Sequence, residues 1–490
     1  MANQVDYRDS TPNNFPQDYD LSKVDSRVKL RSESIKHKQK GKQTREAMYQ
    51  ALEISSVTAG EAKETAINTA SRQDKTEKIV DEGIGAFTKD SEVVIARDGH
   101  TNLLQKEQEQ DDRLQTVERH TDISSNRAIA GFLADGMAEV DGPTPSYYQT
   151  RISEIAQMLP DESLNIGFIT DNHYQMDDYA PHSLGHYANI AALSRSAKVD
   201  AIVAGGDNTN GGVSRQRTLT EVRQATSTLF NRTSADTDVF FMLGNHDTGI
   251  GQNENKTRDT TVSPEELKDF YRTKTTVYGE VRDGDSLYGF KDYENQKIRV
   301  IWLNSYDLPY TVNSDGTYKY DFLKQSAFQN EQLKWIVNAA LKLPSKDWKV
   351  MIFSHAPLAG SFDSQPGQTP IVQFNSNVLI GVLNAFQNGT VYSVSEMESE
   401  IPVQFGCDFS EQGKGTIIAF VSGHVHQDGQ MTYQGINCIQ TTCSLCSKTN
   451  PQRVANSITE DAWDIFSVDT KARTIRIYRL GYGSDRNYTY

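Results

Sequence analysis

Five apolar runs in this chain each end in a small residue or sharp turn followed by Asp, Asn or His, and no other feature of the sequence constrains the fold as much. The runs are 165–170 (NIGFIT), 201–204 (AIVA), 239–243 (VFFML), 349–353 (KVMIF) and 416–421 (TIIAFV). They lead into Asp171-Asn172-His173, Gly205-Gly206-Asp207-Asn208, Gly244-Asn245-His246-Asp247, Ser354-His355-Ala356-Pro357 and Gly423-His424-Val425-His426. Amphipathic segments at 183–197, 214–230, 263–273 and 329–342 separate many of the runs, and Ser263 with Glu266 three residues on reads as a helix cap. Adjacent strands at about 286–293 and 297–304 are joined by Asn295-Gln296, and further strands are expected at 430–441, 463–469 and 473–479. Strand–helix alternation followed by hairpins predicts an α/β domain with a mixed or two-layer β core. In open α/β sheets, sites form at the carboxyl ends of strands.

The chemistry of those ends is narrow. Residues i and i+2 of an extended segment point the same way, so His424 and His426 can aim two imidazoles at one point. A metal or a phosphate suits such a pair; a polar surface turn is the alternative for that motif alone. Five of the ten histidines fall in these five short stretches, which argues against the turn.

The series DNH, GGDN, GNHD, SHAP and GHVH resembles the calcineurin-like metallophosphoesterase family, whose pattern is D-x-H, G-D, G-N-H-D/E, a lone H and then G-H-x-H. The resemblance spans roughly 160–480 and fills every motif position. It implies a four-layer α/β/β/α sandwich with a dinuclear metal centre. Asp171, His173, Asp207 and His426 are then expected to ligate one metal, and Asp207, Asn245, His355 and His424 the other, with Asp207 bridging. His246 is expected to donate to the substrate, with Asp247 orienting it. Oxygen and imidazole donors without thiolate suit two divalent ions such as Mn, Fe or Zn. Two such ions outweigh two carboxylates, so the centre attracts phosphate although the chain carries a net charge of −15. His182 and His186, in PHSLGHY, are candidate substrate contacts, with a helix-capping or surface role as the alternative. The stretch 358–415, with a helix-like 375–386, is long for a plain connection and is expected to shape substrate access.

Composition bounds the rest. Hydrophobic residues make up 37% and charged residues 23%, and no apolar run approaches the roughly 18 residues of a membrane helix, so no membrane partner is expected. The acidic balance argues against nucleic acid as a partner. The first 30 residues lack the apolar core of a signal peptide, which points to synthesis in a cytoplasm. All four cysteines, Cys407, Cys438, Cys443 and Cys446, lie in the last fifth; their spacing could hold a zinc ion, but buried or half-buried thiols are the preferred reading.

The chain changes character near residue 125. Residues 1–46 read as an extended basic arm, with nine Lys or Arg between 23 and 45 against Asp25 and Glu33. Residues 47–125 read as a helical attachment and oligomerisation region, with Met48, Leu52, Ala59, Ala62 and Ala66 on one heptad seam. Residues 126–490 hold the metallophosphoesterase-like domain. The texts SRVKLRSESIKHKQKGKQTREAMYQAL and SEVVIARDG resemble attachment regions of tail and baseplate proteins from phages of Gram-positive bacteria. That resemblance implies a virion enzyme made in the host cytoplasm. It would dock on other tail or baseplate proteins through 1–125 as a homo-oligomer, with a trimer as the candidate state. It would act on a cell-wall polymer, wall teichoic acid first. The rival readings are a bacterial intracellular or surface phosphodiesterase on nucleotides or phospholipid head groups, and a non-catalytic structural adhesin.

Overall fold

The computed structural model describes Ser22 and residues 144–176, 182–250, 257–362, 371–446 and 450–490. Apart from Ser22, the expected arm, the helical region and the boundary at 125 lie outside the described residues.

The first strands are β1 (Leu164–Ile169), β2 (Ala201–Ala204) and β3 (Asp238–Phe241), followed by β4 (Val281–Arg282), β5 (Gly289–Tyr293) and β6 (Ile298–Trp302). Then come β7 (Gln325–Ala327), β8 (Lys349–Ser354), β9 (Val372–Phe374), β10 (Val391–Glu396), β11 (Val403–Asp408) and β12 (Ile417–Ser422). The chain closes with β13 (Gly429–Tyr433), β14 (Ile436–Gln440), β15 (Ala462–Asp469), β16 (Thr474–Gly481) and β17 (Arg486–Thr489). One sheet has the order β17-β16-β15-β1-β2-β3 and the other β13-β14-β12-β8-β6-β5-β4. β1, β2 and β3 are parallel, as are β6, β8, β12 and β14, and the remaining strands of the two sheets pair antiparallel.

Side-chain alternation builds the layers. Ile166 and Phe168 of β1 face Trp302, Met351, Phe353 and Val421 of the other sheet, forming a core between the sheets. Ile169 points the other way, into a core shared with helices Ser146–Met158, Ser183–Ser194 and Arg215–Arg232. Helices Asn330–Trp335 and Ser376–Asn388 cover the outer face of the second sheet. The result is the four-layer α/β/β/α sandwich. Strands buried on both faces read as unbroken apolar runs, which is why five of them were conspicuous in the sequence.

Several local expectations change. The single strand expected at 430–441 is the hairpin β13–β14, turned by Gln434 and Gly435, both at left-handed φ (48° and 81°). The helix expected at 329–342 becomes a π-turn over Ile336–Ala340, where the Arg299 guanidinium takes the carbonyls of Ala339, Ala340 and Lys342. The stretch 358–415 contains the helix Ser376–Asn388 and also the two-stranded β10–β11 sheet. Helix Ser146–Met158 and strand β17 were not anticipated. The Ser263–Glu266 capping box is present as expected. Cys407, Cys438 and Cys443 are buried free thiols and Cys446 is half-buried. Among the described residues, no helix is long and apolar enough to cross a membrane.

Candidate metal centre

The carboxyl ends of β1, β2, β8 and β12, and the turn after β3, converge on one point. On one side, Asp171 Oδ1 lies 3.1 Å from His426 Nε2, and His426 Nε2 lies 3.2 Å from His173 Nε2. His173 Nε2 is 3.6 Å from Asp207 Oδ2. On the other side, Asp207 Oδ2 is 3.4 Å from His355 Nε2. Asn245 Oδ1 is 3.1 Å from His355 Nε2 and 2.9 Å from His424 Nδ1. The groups Asp171–His173–His426 and Asp207–His355–His424 each bring their ligand atoms within 4.8 Å of one another. Bonds of about 2.0–2.2 Å to a common ion put neighbouring donors roughly 3.0–3.5 Å apart, so these spacings fit two ions that share Asp207.

The backbone is bent to achieve this. Asp171, His173, Asp207, His424 and His426 all have positive φ, between 48° and 69°. Side chains rarely adopt that region, and strain of this kind concentrates where function requires it. Gly423 lets the loops touch: a Cβ there would stand 2.2 Å from Thr170 Oγ1 and 2.4 Å from Asp171 Oδ2. The contact is used, because the N–H of His424 donates to Asp171 Oδ2 at 2.8 Å.

Charge follows the same plan. Burial by itself raises Asp171 and Asp207, but the imidazoles of His426 and His355 beside the first, and of His355 and His246 beside the second, hold both ionised. Burial, with His246 adjacent, lowers His173 to about 3, and burial with His355 adjacent lowers His424 to about 4. Burial opposes protonation of His355, but Asp207 and Asp171 outweigh it and lift it to about 9. The donor set therefore draws positive charge into a buried place, and His173 and His424 stand neutral as ligation requires. His355 donates from Nδ1 to Gly205 O at 2.8 Å, which leaves Nε2 turned to the centre.

His246 sits at the rim, with its side chain 18% exposed and Nε2 3.8 Å from Asp207 Oδ2. Its ring stands edge-on to His173 at 4.4 Å. Its Nδ1 donates to the carbonyl of Asn210 at 2.8 Å. The carboxylate of Asp247, the residue expected to orient His246, accepts from Gly244 N, Thr209 N and Asn208 Nδ2. Burial and the Asp207 charge raise Asp247 to about 7. It braces the two loops that carry Asp207 and Asn245.

His186 is 2% exposed, with Nδ1 2.9 Å from Ser444 Oγ and 3.4 Å from Asp461 Oδ1, so it lies inside the protein and not at a substrate mouth. His182 is half exposed and pairs with Glu460 at 2.8 Å. Neither belongs to the convergent set. Sequence reading missed the end of β6, where Ser305 Oγ accepts the N–H of Ala356 and Tyr306 packs on His355. The signal was available: 298–302 is a sixth apolar run, and it ends in Leu303-Asn304-Ser305-Tyr306-Asp307.

Residues 164–428 match the calcineurin-like phosphoesterase family, more than half of the 490-residue chain. The chain belongs to that family. It is a dinuclear-metal phosphoester hydrolase. No curated protein matches it. Among solved structures it is similar to a dimetal phosphatase from Danio rerio, at 18% identity over 67% of this chain and 99% of that one, with a TM-score of 0.43. GAP50, the anchor in the inner membrane complex of Plasmodium, is 11% identical over 67% and 88%, with a TM-score of 0.34. A purple acid phosphatase from yellow lupin seeds is 11% identical over 67% and 54%, with a TM-score of 0.35.

Calcineurin-like phosphoesterases use two divalent metal ions, and the donors here fit them: carboxylate, carboxamide and imidazole atoms, buried and convergent. When bound, such a pair polarises a phosphoryl oxygen and activates water at neutral pH.

Proposed function

We propose that Asp171, His173, Asp207 and His426 hold one ion, that Asp207, Asn245, His355 and His424 hold the other, and that His246 protonates the leaving oxygen. The observation that carries this reading is the convergence of all seven donors with His246 alongside, its Nε2 3.8 Å from Asp207 Oδ2. Asn210 O holds the His246 Nδ1 proton in place, so Nε2 is the nitrogen that faces the centre for proton transfer.

We further infer that the substrate is a phosphodiester of wall teichoic acid, cleaved during host attachment by a phage tail or baseplate enzyme. Two features support the polymer. A cleft of about 660 Å³ has Tyr306, which packs on His355, in its wall, and Asp283, Asp307 and the Lys268–Glu265–Asp285 cluster also line it, groups suited to the hydroxyls of a polyol. His246 and His426 keep side-chain exposures of 18% and 22%, so a chain phosphate can reach the centre from outside. The N-terminal likeness to tail attachment regions supports virion delivery, with 1–125 docking on neighbouring tail proteins as a homo-oligomer. The test is incubation of the metal-loaded protein with purified Gram-positive walls. Release of glycerol- or ribitol-phosphate fragments, absent from walls stripped of teichoic acid, is the expected result. No release, together with efficient cleavage of a nucleotide diester, would move the assignment to an intracellular phosphodiesterase.

A further inference from the structure

β6 ends at the same edge as the donor loops, and the residues beyond it are pinned tightly. The Gln332 amide donates to Asn304 O and accepts from Asn304 N, both at 2.9 Å. Asn304 Oδ1 in turn accepts the N–H of Tyr306 at 3.0 Å. Tyr306 is thereby held with its ring 5.8 Å from the His355 ring and 6.3 Å from the His424 ring. Phe322 backs it at 6.1 Å. The residue is 1% exposed, yet among the described residues its hydroxyl makes no hydrogen bond. Buried tyrosine hydroxyls ordinarily have a partner, and one left without it calls for an unseen water, ion or ligand.

We propose that Tyr306 is a substrate-contacting residue whose hydroxyl donates a hydrogen bond to a phosphoryl oxygen held beside His355 and His424. Among the described residues it is an uncommitted donor packed against two of the proposed ligands. It is neutral, so it binds an oxyanion without competing with the cations for their ligands. The inference rests on the metal assignment proposed above, and not on the identity of the natural polymer.

The test is Tyr306→Phe in the full chain, which removes one oxygen and keeps the ring. Metal content, melting temperature and affinity for inorganic phosphate are measured by elemental analysis, thermal unfolding and calorimetry. Both proteins are expected to load two ions. The variant is expected to melt at the same or a higher temperature, because it loses a buried unpaired hydroxyl. Its phosphate affinity is expected to fall about ten-fold or more, the size of one hydrogen bond to a charged acceptor. Equal phosphate affinity in the two proteins overturns the inference and leaves the metal assignment standing. Loss of metal or of fold also overturns it, since the hydroxyl would then be supporting the ligands or the core. A wild type that loads two ions and binds no phosphate overturns both readings.

Discussion

Replacing Gly423 by Ala tests the claim that the metal centre depends on backbone contact between two loops. The new Cβ would sit 2.2 Å from Thr170 Oγ1 and 2.4 Å from Asp171 Oδ2, and real Cβ contacts essentially never fall under 3.0 Å. The loops must therefore part by about 0.8 Å. That displacement strikes the 2.8 Å hydrogen bond from His424 N to Asp171 Oδ2. Overpacking of this kind costs about 1–3 kcal/mol, and a lost bond to a carboxylate about 1.5–3 kcal/mol more. If half of that total appears in binding, about 1.2–3 kcal/mol, the affinity for metal falls by roughly eight-fold or more. Gly185 is the internal control. It lies in helix Ser183–Ser194 with nothing within 4 Å of its Cβ position, so Gly185→Ala is expected to stabilise by about 0.5–1 kcal/mol and leave metal binding alone. Equilibrium dialysis against a metal buffer reads the affinities, and denaturant melts read the stabilities. Wild-type metal affinity in Gly423→Ala would refute the reasoning, because the loops would then be soft enough to absorb the shift.

His246→Ala is expected to keep two ions and the fold while losing about 10²–10⁴ in rate on bis-p-nitrophenyl phosphate, whereas Asp207→Ala loses metal as well; equal metal loss in both would show His246 to be a ligand. In metal-stripped protein, His355 has its pKa raised from 6.5 to about 9, so its stabilisation is complete below pH 6.5 and disappears as pH rises through 9. That is worth about 3 kcal/mol, and metal loading should flatten this limb of the stability profile; denaturant melts between pH 7 and 9 would expose a flat limb in the stripped protein and sink the point. A chain beginning at residue 126 is expected to remain folded and active but to lose assembly into its native complex; insolubility, with the full chain soluble, would count against the boundary.

Much of the fold was legible because its central strands are buried on both faces. β1, β8 and β12 are apolar almost throughout, and each stops where a polar ligand must begin. Pairing was not legible. Nothing local says that β15 lies beside β1, since that contact joins segments nearly 300 residues apart, and antiparallel partners of this kind are chosen by the whole core. The β13–β14 turn was missed because Gln434 adopts a left-handed φ that its side chain does not advertise. The π-turn after Trp335 depends on Arg299, a residue on another strand.

The sequence by itself determined the proposed donors and their order: two aspartates, an asparagine and four histidines, each at the end of an apolar run, are chemistry written in residue type and spacing. Only the tertiary structure decided how those donors are held and what else reaches them. It passed the orientation of His246 to the carbonyl of Asn210, gave Asp247 to the loops around it, turned His186 inward, and set Tyr306 against His355 and His424. The reason is physical. Ligand identity is a property of single side chains, whereas orientation, burial and an unpaired hydroxyl are properties of neighbours that meet only when two sheets close on one another.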